Sequence, residues 1–363
     1  MEKWLRSLEY VVDRRESWKV LHKLKDIIAI VFFAKLANAD DWVEIEIFAQ
    51  EHEEFLREYL ELPNGIPSHD TIQRNFAVLE PSFLTKMQEL WNELLSTNEG
   101  EKLKKILAID GKTQRGNGNH IVSAVDEHGI CIGQTLVDEK SNEIKAIPEL
   151  LDELDIRGHI ITTDAMGAQR EIAAKIRKKR ADYVFGLKGN QETLHDDVKL
   201  YFEDSELLKN CDYTYKIEKA RSGVEKREYW QTEDISWLTQ KDRWAGMKSI
   251  GITRNTIIKA DKTVIETRFF ISSLPLDVET FARAVRGHWM VEAYHWHLDV
   301  TFREDANQTL DKRAAYNLNI INKMAINVLK MLELSGMKPM SLKKKRYAIS
   351  LNFEGFLKRI LEA

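Results

Sequence analysis

The chain has 363 residues, more than one hydrophobic core usually organises, so length favours two or three structural units. With 43% apolar and 31% charged residues, 17 Gly and 6 Pro, it reads as globular, which excludes a disordered or collagen-like chain. The net charge of −4 lacks the basic excess of many nucleic-acid binders, but residues 40–61 carry nine acids against Arg57 alone while residues 311–346 carry nine bases and two acids, a polarity that keeps polyanion binding open.

The longest purely apolar run, residues 27–34, is bracketed by Asp26 and Lys35 and falls short of the roughly 20 residues a membrane helix needs. No secretory signal is visible at the start, so a cytoplasmic protein with no membrane contact is expected, and Cys131 and Cys211 read as ordinary thiols.

Taken in chain order, apolar residues recur at helical spacing through Leu21, Leu24, Ile27, Ile28, Val31 and Phe32, and again through Trp42, Ile45, Phe48 and Ala49, which predicts a small all-helical domain over residues 1–96. Within it, Pro63-Asn64-Gly65-Ile66-Pro67 predicts a turn, and Ser68 the N-cap of a short helix with Ile72, Phe76 and Leu79 on one face. A helix-turn-helix reader would turn Gln73, Arg74 and Asn75 outward; ordinary packing is the plainer reading.

Polar residues 96–101 with Gly100 mark a boundary. Beyond it the period changes. Strands are predicted at 106–109, 120–125 and 130–137, the last two joined by a turn at Glu127, His128 and Gly129. A helix at 144–154, a strand at 159–163, a helix at 168–180 and a strand at 183–187 complete an α/β domain with a mixed sheet. Residues 201–273 read as a β-rich insertion, with strand-like pieces at 227–231, 249–254 and 267–271, after which helices are expected at 278–302 and 314–334.

Two apolar strands end in aspartate, Asp110 and Asp164. Strand ends are where α/β folds expose chemistry, and paired carboxylates suit hard cations such as Mg2+, although an Asp-Gly turn and a helix-capping Asp need no metal. A third acid, Glu292, lies in Arg286-Gly287-His288-Trp289-Met290-Val291-Glu292-Ala293-Tyr294-His295-Trp296. On a helical wheel it shares a face with Val285, His288, Trp289, Trp296 and Asp299, which predicts a carboxylate embedded among large side chains and in need of a metal or a cation. Glu304 and Asp305 fall off that face if the helix continues. Gly111-Lys112-Thr113 resembles the end of a phosphate loop, but Ile106 stands where that loop requires its first Gly. Zinc at His288, His295 and His297 is disfavoured because His297 faces away and no cysteine is near.

Together these segments resemble bacterial insertion-sequence transposases of the ISAs1 type, in the IS4-like group of DDE transposases that includes the H-repeat-associated proteins of Rhs elements. Residues 64–72 resemble the associated N-terminal domain, Ala108-Ile109-Asp110-Gly111-Lys112 the first catalytic block, Thr163-Asp164-Ala165-Met166 with Gln169 the second, and Arg286-Gly287-His288-Trp289 with Glu292, followed by residues 295–305, the third. The resemblance implies an RNase H-like catalytic domain over residues 97–363, interrupted by the insertion, in which Asp110, Asp164 and Glu292 are catalytic and hold two Mg2+ or Mn2+ ions. It implies cleavage and strand transfer of double-stranded DNA at terminal inverted repeats, a target DNA, a homodimer, and a nucleoid-associated protein. Lys112, Arg115, Lys188, Arg286 and His288 are the expected DNA contacts, with residues 343–346 extending the basic face. The alternatives are a catalytically degenerate DNA-binding remnant and a general nuclease of the same fold. The chain departs from the family pattern at Ala293 and Tyr294, in Arg221-Ser222-Gly223-Val224-Glu225, and at Asn322-Lys323.

Overall fold

A computed structural model of the chain describes residues 8, 11–95, 105–137, 143–220, 223–332 and 340–362. The boundary expected at 96–101 lies outside the described residues, as do Arg221 and Ser222.

The N-terminal segment is helical: α1 (Leu24–Leu36), α2 (Trp42–Glu51), α3 (His69–Val78) and α4 (Pro81–Leu95). Asp41 caps α2 through a capping box with Glu44, and Ser68 caps α3 by accepting the Thr71 N–H. Gly65 takes φ +72° in the turn before α3. Asn75 does not face outward; it is buried, accepts a hydrogen bond from Arg15 at 2.5 Å and donates to the Thr71 carbonyl. That leaves α3 without one of the three side chains a groove-reading helix was expected to present.

The sheet has nine strands: β1 (Ile106–Thr113), β2 (His120–Asp126), β3 (Cys131–Val137), β4 (Ile160–Thr163), β5 (Asp182–Leu187), β6 (Asp212–Ala220), β7 (Gly223–Thr232), β8 (Ser249–Lys259) and β9 (Thr263–Ser272). Their order is β3-β2-β1-β4-β5-β9-β8-β7-β6, with β1, β4 and β5 parallel and the remaining pairings antiparallel. The turn between β2 and β3 is the expected one: Asp126 Oδ1 accepts the N–H groups of His128 and Ile130, and Gly129 takes φ +76°. The β-rich insertion is not a separate body, because β9 pairs directly with β5 and continues the same sheet. On one face of β1 and β4 lie Leu107, Ile109 and Ile161, packed with α5 (Glu143–Glu153) and α6 (Arg170–Lys178). On the other lie Ile106 and Ile160, covered by α8 (Val278–Trp296), while α7 (Glu192–Glu203) packs on the first face.

Helix α8 ends six residues earlier than its periodicity predicts, in a π-turn over His297–Thr301 followed by Arg303 at φ 50°. Helices α9 (Lys312–Met331), α10 (Leu342–Leu351) and α11 (Phe353–Glu362) follow. They share one continuous core with α1 to α4: Phe353 packs against Phe33, Phe48 and Phe55, and α9 lies across α1, α3 and α4. Among the described residues no helix is long and apolar enough to cross a membrane.

Candidate active site

Strand register places the two aspartates together. Ile109 pairs with Thr163 in the parallel β1–β4 ladder, so Asp110 and Asp164 are the next residues on strands about 4.8 Å apart. Alternation along β1 puts Asp110 on the same face as Ile106 and Ala108, under α8. That helix runs beside β1 in close contact: a Cβ on Gly287 would lie 2.9 Å from Ile106 Cγ2. From Gly287 to His295 the helix advances about 12 Å and from Ile106 to Asp110 the strand advances about 13 Å. His295 therefore arrives over Asp110, with Nδ1 3.6 Å from Oδ2.

The buried face of α8 is only partly the expected one. Phe281, Ala284, Val285, Gly287, Val291 and Tyr294 are buried, Val285 as expected, while Glu292 and Trp296, the latter 54% accessible, are exposed. Glu292 is thus not embedded among apolar side chains; it stands at the solvent edge of the helix, near enough to raise the proton affinity of Asp110. Asp164 is fixed by its own loop, with Oδ1 accepting the N–H groups of Met166 at 2.9 Å and Gly167 at 3.2 Å. Asn190 and Gln191 hold that loop from the other side by donating to the carbonyls of Ala165 and Ala168.

Burial first, then the charges of Asp164, Glu143 and Glu292, push the Asp110 carboxyl up to about 7. Neither nearby imidazole supplies a balancing positive charge. Burial pushes His295 down to about 3, and its Nε2 is buried without a hydrogen-bond partner. Burial pushes His288 down to about 4, and its Nδ1 pairs with Thr162 Oγ1 at 3.1 Å. Neutral His288 thus braces β4 beside Asp164 instead of offering a cation.

Glu143 is the carboxylate that the sequence concealed. It is buried at the start of α5, against the opposite face of β1, with Oε2 3.5 Å from His120 Nε2. No local signal marks it, because it meets Gly111 only through the folding of α5 onto the sheet: a Cβ on Gly111 would lie 2.5 Å from both Glu143 Oε1 and His120 Nε2. Gly111 sits within β1 and makes no turn.

The expected DNA contacts divide. Lys188 is exposed just past β5, on the sheet edge that also carries Asp110 and Asp164. Arg286 is exposed on α8, with its guanidinium 6.0 Å from the centre of the Trp289 ring. It borders a groove of 560 Å³ between α8 and β6–β7, together with Arg227, Arg283 and Lys216. Arg115 is 83% exposed and paired with Asp305 Oδ2 at 3.1 Å. Lys112 is different. Its side chain is only 11% exposed and its ammonium lies 2.7 Å from Asp299 Oδ1 and 3.4 Å from both Glu304 Oε2 and Asp305 Oδ1. Burial opposes that charge, but the three carboxylates outweigh it and hold Lys112 above the ordinary lysine value. Nor does the tail extend a basic face throughout: Arg346 is fully buried against Asp40, and Lys345 donates to the carbonyls of Leu329 and Leu332.

As placed, no three His, Cys, Asp or Glu side chains among the described residues converge closely enough to hold an ion between them. The donor chemistry nevertheless fits a hard divalent cation: carboxylate oxygens side by side where the β1–β4 pairing stops, an Asp110 whose proton affinity is raised first by burial and then by the carboxylates around it, and imidazoles kept neutral.

Asp110 does not end its strand as expected, since β1 runs on to Thr113; it lies beside Asp164 where the parallel β1–β4 pairing stops. Two aspartates so placed in a mixed sheet, with an acid-bearing helix laid over them, define an RNase H-like domain. The chain belongs to the DDE transposases: residues 101–328 match the family described as Transposase DDE domain, and residues 5–92 match DDE_Tnp_1-associated. It is similar to the H repeat-associated putative transposase YhhI of Escherichia coli K12, 37% identical over 345 residues that cover 91% of this chain and 90% of that protein. It is likewise similar to the putative transposase YncI of Escherichia coli O157:H7, 36% identical over 361 residues covering 95% and 91%. A short relative, the inactive transposase YbfQ of Escherichia coli K12, matches 20% of this chain and 88% of its own length at 40% identity.

Two departures from the family pattern meet inside the protein. The Tyr294 hydroxyl donates to the Lys323 carbonyl at 3.1 Å, Lys323 Nζ donates to Ser123 Oγ at 2.7 Å, and Asn322 Nδ2 donates to Glu304 Oε1 at 3.4 Å. All are buried, so these residues adjust packing and do not face DNA.

Proposed function

We propose that this transposase cleaves double-stranded DNA at the terminal inverted repeats of an insertion sequence and joins the ends to target DNA, using two Mg2+ or Mn2+ ions held by Asp110, Asp164 and Glu292. The observation that carries the reading is the β1–β4 register, which sets Asp110 beside Asp164 beneath the helix that bears Glu292. A DDE domain implies divalent-metal use in general, and such ions, when bound, supply Lewis acidity and lower the pKa of an attacking water or 3′ hydroxyl. The chain's own groups do the rest. Asp164 would offer one oxygen to a cation because its other caps the loop, Asp110 would bind one in its deprotonated form, and Glu292 would complete the set from the solvent side. Lys188, Arg286 and Arg115 are exposed at the rim, where they would meet phosphates. A homodimer acting on paired ends in the nucleoid is the assembly we expect.

The second reading, a DNA-binding remnant without turnover, is favoured by the separation of the three acids as placed. The test is incubation of the protein with DNA carrying its own flanking ends and Mg2+, with products sequenced at nucleotide resolution. Cleavage at the ends is expected, abolished by excess chelator and by Asp110→Ala, Asp164→Ala or Glu292→Ala in folded protein. Activity persisting in chelator contradicts the metal role, DNA binding without cleavage supports the remnant, and equal cutting of DNA lacking the repeats points to a general nuclease.

A further inference from the structure

Lys112 is two residues beyond Asp110 on the same face of β1, and its stem leads to the segment that immediately follows α8. There its ammonium gathers three carboxylates. Asp299, in the π-turn, is seven residues beyond Glu292, two turns along the same helical line. Glu304 is buried, and its second oxygen accepts Asn319 Nδ2 at 2.7 Å from α9. Asp305 also pairs with Arg115. Arg303, between the π-turn and these acids, holds φ 50° without being glycine, a conformation that persists only where its surroundings impose it. Without Lys112 the three acids would face one another in a partly buried space, with the exposed Arg115 beside Asp305 and the buried Lys35 and Lys323 acting on Glu304 without a direct ion pair. Lys112 thus contacts acids on both sides of the reversal, Asp299 before it and Glu304 and Asp305 after it.

We propose that Lys112 is a positioning residue: it pins the end of α8 to β1 and so fixes Glu292 relative to Asp110 and Asp164, rather than touching DNA. The inference rests on the proposed assignment of those three acids as the metal-binding set. It separates from the expected phosphate contact by what each would move. A phosphate-binding lysine sets duplex affinity and its salt dependence; a lysine that spaces metal ligands sets metal affinity and turnover.

The experiment compares wild type, Lys112→Met, Lys112→Arg and Asp299→Asn. Mn2+ binding is read by calorimetry, duplex binding across a salt series, and single-turnover cleavage of end-bearing DNA at saturating substrate. Lys112→Met is expected to weaken Mn2+ binding about tenfold or more and to lower kcat, with duplex affinity within about twofold of wild type and the salt slope unchanged. Lys112→Arg should recover much of the Mn2+ affinity. Asp299→Asn should reproduce part of the defect from the α8 side, and it decides the matter if Lys112→Met does not fold. Wild-type Mn2+ affinity and turnover in a folded Lys112→Met, or in Asp299→Asn alone, would overturn the proposal. So would a loss of duplex affinity with a salt slope flatter by about one. A wild-type protein that binds no Mn2+ and cleaves nothing would instead overturn the reading of the three acids.

Discussion

At Asp110, folding and the proposed metal binding make opposite demands. Burial first, then neighbouring carboxylates, push its carboxyl up to about 7 from an ordinary 3.8, so between those values the native state holds a proton that the unfolded chain has released. The stability tied to that proton is complete below the ordinary value and is lost as pH rises through about 7. In chelator, Asp110→Asn is therefore expected to melt a few degrees above wild type at pH 8 and clearly less far above it at pH 5, which thermal melts at the two pH values will check. Divalent cation should stabilise wild type at pH 8 and leave the variant largely unmoved. The adjacent Gly111 gives a second prediction. A methyl there would strike Glu143 and His120, both buried, so Gly111→Ala should cost about 1–3 kcal/mol in denaturant unfolding. At this scale the sequence carried Asp110, Asp164 and Glu292 as candidates, since strand ends and a motif mark them. It concealed Glu143 and the enclosure of Lys112, because both depend on residues brought together from distant parts of the chain.

Helix α8 shows how a correct element can carry a partly incorrect face. Helical spacing places its start at Val278, as observed. A wheel weighted by the largest side chains turns Trp296 inward, but the buried stripe holds Ala284 and Gly287, whose small size lets the helix approach Ile106. Close approach, rather than aromatic bulk, decides the orientation and leaves Glu292 at the edge. Gly287→Val is accordingly expected to push α8 away from β1, destabilising by about 1–3 kcal/mol and reducing Mn2+ affinity more than duplex affinity; calorimetry and melts on one preparation measure both. The end of α8 was equally hidden, since Glu304 and Lys112 meet at the reversal from 192 residues apart in sequence. Among the strands, β6 escaped notice because Lys216, Glu218 and the exposed Tyr213, Tyr215 and Ile217 give an edge strand no buried face to read.

For the whole molecule, the two ends of the chain form one helical body that grips the catalytic sheet. Arg346 joins Asp40 at 2.8 Å, donates to the Lys35 and Thr301 carbonyls and stacks on Phe302 at 4.1 Å. It therefore links α1, the turn after α8 and α10 at a single buried point. Arg346→Ala, which leaves Asp40 buried without its partner, should cost about 3–5 kcal/mol, seen as a lowered denaturant midpoint. Hydrophobic periodicity predicts helices at both ends and strands between them, but not this joint core, because pairing across more than 300 residues leaves no local pattern. The joint body steadies the turn below Glu292, and the sheet register steadies the two aspartates. If these three acids gather divalent cations against DNA, as proposed, Mn2+ anomalous scattering from crystals of the protein with end-bearing DNA will show it. Mn2+ at Asp110, Asp164 and Glu292 is the expected result. Bound DNA with no Mn2+ at these carboxylates, or with Mn2+ only elsewhere, would overturn their assignment as the metal-binding set.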